Sequence, residues 1–229
     1  MKTAEAMKVK ISKYSFEVGS QKYFRGNALN MRLGTFGEKK DPAGAKSYVD
    51  PEATVDADKL AKRITSPPAI VNIDWSDTTK ADLEAEGPLT ALGLSGQIEA
   101  NVSYEKVKSG KMALAHFVIN EGPLQTMLNT DADGARKYLA NEGNDGRIAS
   151  EVWVLLTFEL SEHVSTSGSI SFAADGSSVK VTASGGKYKT QTFSITPGTT
   201  FAYALHKVKD WNKDKTKIEN MEKDWKGIG

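Results

Sequence analysis

The chain of 229 residues contains no cysteine. That single absence excludes a disulfide framework, a thiolate nucleophile, thiol-ligated zinc and iron–sulfur clusters. Charge of one sign is missing as well. Thirty basic residues against 29 acidic ones leave a formal charge of +1, so no global field points to nucleic acid or to an acidic surface. Nucleic acid is therefore not an expected partner. No window approaches the roughly 20 apolar residues that a spanning helix requires, and residues 1–8 lack the apolar run of a secretory signal. The expectation is a soluble, cytoplasmic resting form. Alternating strands escape a hydropathy test, which leaves a membrane-inserted β form open.

Motif chemistry is thin too. No nucleophile elbow, dinucleotide fingerprint or metal-spaced histidine pair occurs, and Gly93-Leu94-Ser95-Gly96 lacks the length and the lysine of a phosphate-binding loop. His116, His163 and His206 fall in three different expected strands with no partner at motif spacing. Glu162 and His163 are adjacent on a strand and so point to opposite faces. Asp131, Asp133 and Gly134 begin like a calcium loop, but that register places Arg136 at the sixth position, where glycine is needed. The expectation is a protein that is not an enzyme and carries no metal or other cofactor.

What the chain does have is strand patterning. Val152, Trp153, Val154, Leu155, Leu156, Thr157 and Phe158 are nearly all apolar and rich in β-branched and aromatic types. They read as a strand buried on both faces. Downstream, Val164, Ile170 and Phe172 sit among serines and threonines, a period-two pattern with an uncharged polar face. Asp175-Gly176 signals a hairpin, Val179, Val181 and Ala183 resume the alternation, and Gly185-Gly186 suits a bulge. Residues 188–195 continue the pattern. Pro197-Gly198 makes a second turn before a last strand at 201–205. A lipid-crossing strand takes about 9 to 11 residues, and 161–173 and 177–190 meet that length.

Elsewhere the patterning is shorter. Residues 8–16 read as a strand whose Lys8, Lys10 and Lys13 have two readings: contacts to lipid phosphates, or a solvated edge that discourages aggregation. A strand pair is expected over 23–36, interrupted at Gly26 and Gly34, and a loop over 37–58. A short helix at 56–63 ends before Pro67-Pro68, a strand follows at 69–75, and 78–86 reads as a short helix or loop. Residues 94–104 and 112–119 read as another hairpin, turning at 108–110. Pro123 starts a helix with Leu124, Met127 and Leu128 on one face, with a second piece through Tyr138 and Leu139. In the charged tail, Ile218, Met221 and Trp225 fall at i, i+3 and i+7, one face of a helix that docks on the body. The expected class is α+β: a twisted, mainly antiparallel sheet with long hairpins and a few short helices. Residues 1–209 form one domain and 210–229 a charged tail.

Element order and local motifs carry a family resemblance. Gly96-Gln97-Ile98-Glu99 opens a strand, and Phe117-Val118-Ile119-Asn120 leads into Gly122-Pro123-Leu124-Gln125-Thr126-Met127-Leu128. The apolar strand at 152–157 precedes the Ser/Thr-rich hairpin, and Thr192-Phe193-Ser194-Ile195-Thr196-Pro197-Gly198 leads into Thr199-Thr200-Phe201-Ala202-Tyr203. Over 91–209 this order resembles the pore-forming domain of gasdermins, of the compact bacterial or fungal kind. One departure is the missing N-terminal cysteine that bacterial members often carry for lipidation. The resemblance implies an inactive cytoplasmic monomer, an activating protease, acidic membrane lipids as partners, and a homo-oligomeric β-barrel pore that kills the cell. On this reading Ile170, Phe172, Val179 and Val181 face lipid after insertion. Lys8, Lys10 and Lys13 attract anionic head groups, and Ile218, Met221 and Trp225 hold the resting state. The alternative from another class is a non-enzymatic structural or interaction module of a phage or secretion assembly, using its edges for strand addition.

Overall fold

A run as apolar as 152–156 is satisfied only when both of its faces meet hydrophobic partners, and here that strand is the wall between two cores. The computed structural model describes residues 6–43, 46–64, 68–84, 104–105, 107, 109, 112–157, 160–161, 167–173, 178–183, 190–194 and 199–228. The strands are β1 Met7–Ile11, β2 Ser15–Val18, β3 Gln21–Phe24, β4 Thr35–Lys40, β5 Tyr48–Thr54, β6 Ala69–Asp74, β7 Ala113–Val118, β8 Gly146–Leu155, β9 Ser167–Phe172, β10 Ser178–Ala183, β11 Thr190–Ser194, β12 Thr200–Trp211 and β13 Ile218–Asp224. Among the described residues four α-helices and a 3-10 turn at Ala28–Asn30 interrupt them: α1 Ala57–Ala61, α2 Lys80–Glu84, α3 Glu121–Thr130 and α4 Asp133–Glu142. The class is α+β.

Following the hydrogen-bonded pairs from β12 through β3, β2, β1, β6, β7 and β8 leads back to β12, so these strands close into a barrel-like ring. Within the ring only the β1–β6 pair is parallel. Closure shields strand edges from unwanted pairing, and it is narrowest where β1 meets β6 at two residue pairs and β3 meets β12 at one. Two extensions leave the ring: β13 pairs with β12, while β4 and β5 continue from β8. The strands β9, β10 and β11 form a separate three-stranded sheet, inserted in the chain between β8 and β12.

Alternation along β8 divides its side chains between the cores. Trp153 and Leu155 join Phe16, Tyr23, Ile73, Trp75, Leu114, Phe201 and Ala204, contributed by strands all round the ring. Phe16 meets Trp153 and Phe201 edge-on, each with centroids 5.3 Å apart. Ile148, Val152 and Val154 instead join Phe24, Phe36, Phe117, Tyr203 and Leu205, on which Leu124, Met127, Leu128 and Leu139 of α3 and α4 pack. The helical expectations at 123–139 hold, with Asp133 opening the second helix.

Several expectations fail for identifiable reasons. Residues 37–58 are not one loop, because β4 and β5 pair there, with a bulge near Gly37. A Cβ on Gly37 would lie 2.0 Å from the Asp50 carbonyl oxygen, so glycine permits close approach rather than breaking the strand. Pro51 is tolerated because β5 ends the sheet. Residues 23–36 do not pair with one another: β3 pairs with β2 and β12, and β4 with β5 and β8. β1 lies between β2 and β6 in the strand order, although β6 pairs only with Met7 and Lys8 and β2 only with Val9 to Ile11. The hairpin expected over 94–119 is replaced: both edges of β7 are taken by β6 and β8, and Tyr104 and Glu105 have helical backbone. Residues 94–103 lie outside the described residues. The tail is a strand, not a helix; an extra residue at Glu219, where the pairing shifts between Asp210 and Trp211, puts Ile218 and Met221 on one face at a helix-like spacing.

Candidate functional site

Two places combine unusual placement with chemistry. The first is the β9–β11 sheet. Its register sets Phe172, Val179 and Phe193 in one row and Ile170, Val181 and Gln191 in another of the same parity. The intervening rows are Ser171, Lys180, Thr192 and Ser169, Thr182, Thr190. Since successive residues of a strand belong to opposite faces, one face is almost wholly apolar by sequence and the other is hydroxylic with a single lysine. The turns expected at 175–176 and 197–198 and the bulge expected at 185–186 lie outside the described residues, as do His163 and Glu162.

The second is a polar cluster where β8 meets its neighbours. Glu151, only 3% exposed, stands opposite Val118 of β7 and Ala204 of β12. His116 Nε2 lies 3.1 Å from its Oε2, the Tyr23 hydroxyl donates to the same oxygen at 3.3 Å, and Lys223 Nζ donates to Oε1. The His116 ring stacks on Trp153 at 3.9 Å with the planes 5° apart. Burial alone would raise the Glu151 pKa, but hydrogen bonds and charge from His116 and Lys223 outweigh it and hold the carboxyl at about 2. Tyr23 is pushed upward by its own burial and by the Glu151 charge. A carboxylate titrating that low is a weak base at neutral pH, so the cluster acts as an electrostatic tie joining β3, β7, β8 and β13. Close by, His206 Nδ1 meets Ser150 Oγ at 2.7 Å, while its Nε2 lies 3.7 Å from Glu121 Oε2. Burial, aided by the Lys223 charge, lowers the His206 pKa to about 4, so its ring is neutral at pH 7.

A buried ion network fastens the C-terminal segment. Asp224 Oδ2 accepts from Lys39 Nζ at 2.8 Å and from Arg147 Nε at 2.7 Å, and Lys39 also donates to the Lys226 carbonyl at 2.8 Å. Desolvation opposes ionisation of Asp224, yet these two cations lower its pKa. The outer edge of β13 is covered at Ile218, where Gln125 and Asn129 of α3 donate to its carbonyl at 3.2 and 2.9 Å. Asn129 Oδ1 accepts from the Ile218 amide at 2.9 Å.

The residues singled out from the sequence are distributed over separate places. Ile170 and Phe172 lie on β9 and Val179 and Val181 on β10, paired Ile170–Val181 and Phe172–Val179. Lys8 and Lys10 are on β1 and Lys13 in the turn after it, all exposed. Lys10 lies 3.6 Å from Glu17, and Lys13 Nζ sits 5.0 Å from the Tyr14 ring centroid. Ile218 and Met221 share the helix-covered core, whereas Trp225 is 43% exposed and takes no part in it. Sequence reasoning missed Glu151, Asp224 and their partners. The available signal was the charge itself: a lone glutamate inside an apolar strand run must be paired. Asp131, which starts like a calcium ligand, instead accepts from Arg63 Nε at 3.1 Å. Among the described residues no helix is long and apolar enough to cross a membrane, and no group of three or more potential metal ligands is present. Neither the protein-family models nor the characterised proteins compared with this chain give a match.

Proposed function

We propose that the protein is a gasdermin-like pore former whose β9–β11 segment lengthens into long, twisted antiparallel hairpins, enters a bilayer and zips with copies of itself. The observation that carries this reading is the register of that sheet. Ile170, Phe172, Val179, Val181 and Phe193 share one parity, and none of these positions is charged. A charge facing lipid near the midplane would cost about 2 to 4 kcal/mol, while Lys180 has the parity of the wet face. The sheet is not hydrogen-bonded to the barrel-like ring among the described residues, so its rearrangement leaves the ring's ladder intact. Its strands have six, six and five residues, against about 9 to 11 for a crossing. Insertion therefore recruits chain on either side of each strand.

Acidic lipids are the proposed surface, met first by Lys8, Lys10 and Lys13. Cleavage that removes 210–229 is the proposed trigger. It would take Ile218 and Met221 out of the core and leave Lys39 and Arg147 without Asp224, loosening the β12 side of the ring. The test is dye release from phosphatidylcholine–phosphatidylserine vesicles by the full chain and by a form ending at Lys209. Release by the shortened form alone supports the proposal. No release from either form, with a stable closed assembly in solution, favours the strand-addition module instead.

A further inference from the structure

α4 and the turn between β12 and β13 line an open cleft of about 510 Å³, built from residues outside the β9–β11 sheet. Arg136, Lys137 and Asn141 line it from the helix, and Asp214, Lys215 and Thr216 from the turn. Three cations thus face one carboxylate. Asp214 is occupied within the turn, where its Oδ1 accepts from the Thr216 hydroxyl at 2.7 Å and the Thr216 amide at 3.3 Å. Just outside, Asp133 accepts from Lys137 at 2.7 Å and from Arg136, and Arg136 also donates to the Asn129 carbonyl at 3.0 Å. Counting Asp133 with the lining, one positive charge remains in excess, and these bonds hold two of the three cations, Arg136 and Lys137, in place.

Lys215 supplies a second, independent observation. Its φ is +56°, and among the described residues only it and Asn27 combine a side chain with positive φ. Asparagine tolerates that conformation; lysine rarely adopts it, and glycine would relieve the clash between Cβ and backbone. The turn nonetheless holds it there, with the Lys215 amide donating to the Asn212 carbonyl at 3.0 Å and the Asn212 amide donating to the Lys217 carbonyl at 3.0 Å. Strained backbone of this kind persists only where its surroundings over-determine it, and such residues cluster at ligand sites. Here it sets an ammonium beside the cleft.

We propose that this cleft binds a phosphate-bearing small molecule. Phosphate oxygens are acceptors only, and the lining offers them Lys and Arg cations and the Asn141 amide, while the Thr216 hydroxyl proton stays on Asp214. Among the described residues none that lines the cleft is aromatic and so able to stack on a nucleobase; the ligand class is a phosphorylated polyol or an inorganic polyphosphate. The proposal does not rest on membrane insertion.

The test is calorimetric titration of the full chain with inorganic pyrophosphate, alongside flotation with phosphatidylcholine vesicles with and without a phosphatidylinositol phosphate. Lys215→Gly suits the positive φ, so it should leave Tm unchanged or raised. Its affinity should fall about five-fold, the effect of one surface charge at contact distance. Lys137→Gln should weaken binding similarly without altering the turn. Pyrophosphate binding that Lys215→Gly weakens supports a soluble ligand. Binding confined to phosphoinositide vesicles, and weakened by the same change, supports the same chemistry in a head group. No binding to either probe, or equal binding by Lys215→Gly, overturns the proposal.

Discussion

Glu151 and His116 face each other across the β7–β8 pair, with Oε2 and Nε2 3.1 Å apart. Lys223, arriving from the C-terminal strand, grips the other carboxylate oxygen. The ring of strands and the C-terminal segment are thus coupled through one buried charge. Glu151→Ala leaves Lys223 and His116 facing an empty, largely dry space and should cost about 3 kcal/mol or more in urea unfolding. Tyr23→Phe, which removes one donor to the same oxygen, should cost only about 1 kcal/mol. Equal effects of the two changes would deny the carboxylate this central place.

Acid should weaken the fold well before the carboxylates protonate. His206 titrates near 4 when folded and near 6.5 when unfolded, so between those values the unfolded chain binds the extra proton. Its contribution is complete above pH 6.5 and is lost as pH falls towards 4. Stability at pH 5 should be about 2 kcal/mol below that at pH 7.5, and His206→Gln should remove most of that difference. The Glu151 contribution, present above its unfolded value of 4.5, fades only at lower pH, between 4.5 and about 2.

Asp224 compensates two buried cations. Asp224→Asn should destabilise by about 3 to 5 kcal/mol, a fall in Tm of roughly 10 °C for a chain of this size. Lys39→Met, which removes one cation together with its share of the desolvation cost, should be milder. Thermal unfolding by circular dichroism compares them directly.

Gly37→Ala tests the close approach of β4 to β5. A methyl group 2.0 Å from the Asp50 oxygen must displace backbone, at a cost of about 1 to 3 kcal/mol. A neutral result would mean that the two strands are free to separate there.

Legibility followed the reach of each interaction. The buried strand β8 and the helices α3 and α4 were readable because their patterns depend on local periodicity alone. The edge pair β4–β5 was hidden because an edge strand carries the glycine, proline and charges of a loop. β13 was misread because a bulge in its pairing with β12 produced helix-like spacing. Glu151, Asp224 and Lys39 come from segments distant in the chain, with Lys39 and Asp224 separated by 185 positions, and no spacing rule joins them. The ring closure, β12 to β8, is likewise a long-range pairing with no local mark.

The membrane reading meets its most direct test on β10, and the absence of cysteine from the chain allows single-site labelling without background. Val179→Cys, Lys180→Cys, Val181→Cys and Thr182→Cys, each carrying an environment-sensitive fluorophore, would be mixed in shortened form with anionic vesicles. The account predicts a blue shift at 179 and 181 and little change at 180 and 182. The same response at all four positions, or none at any of them, would contradict it.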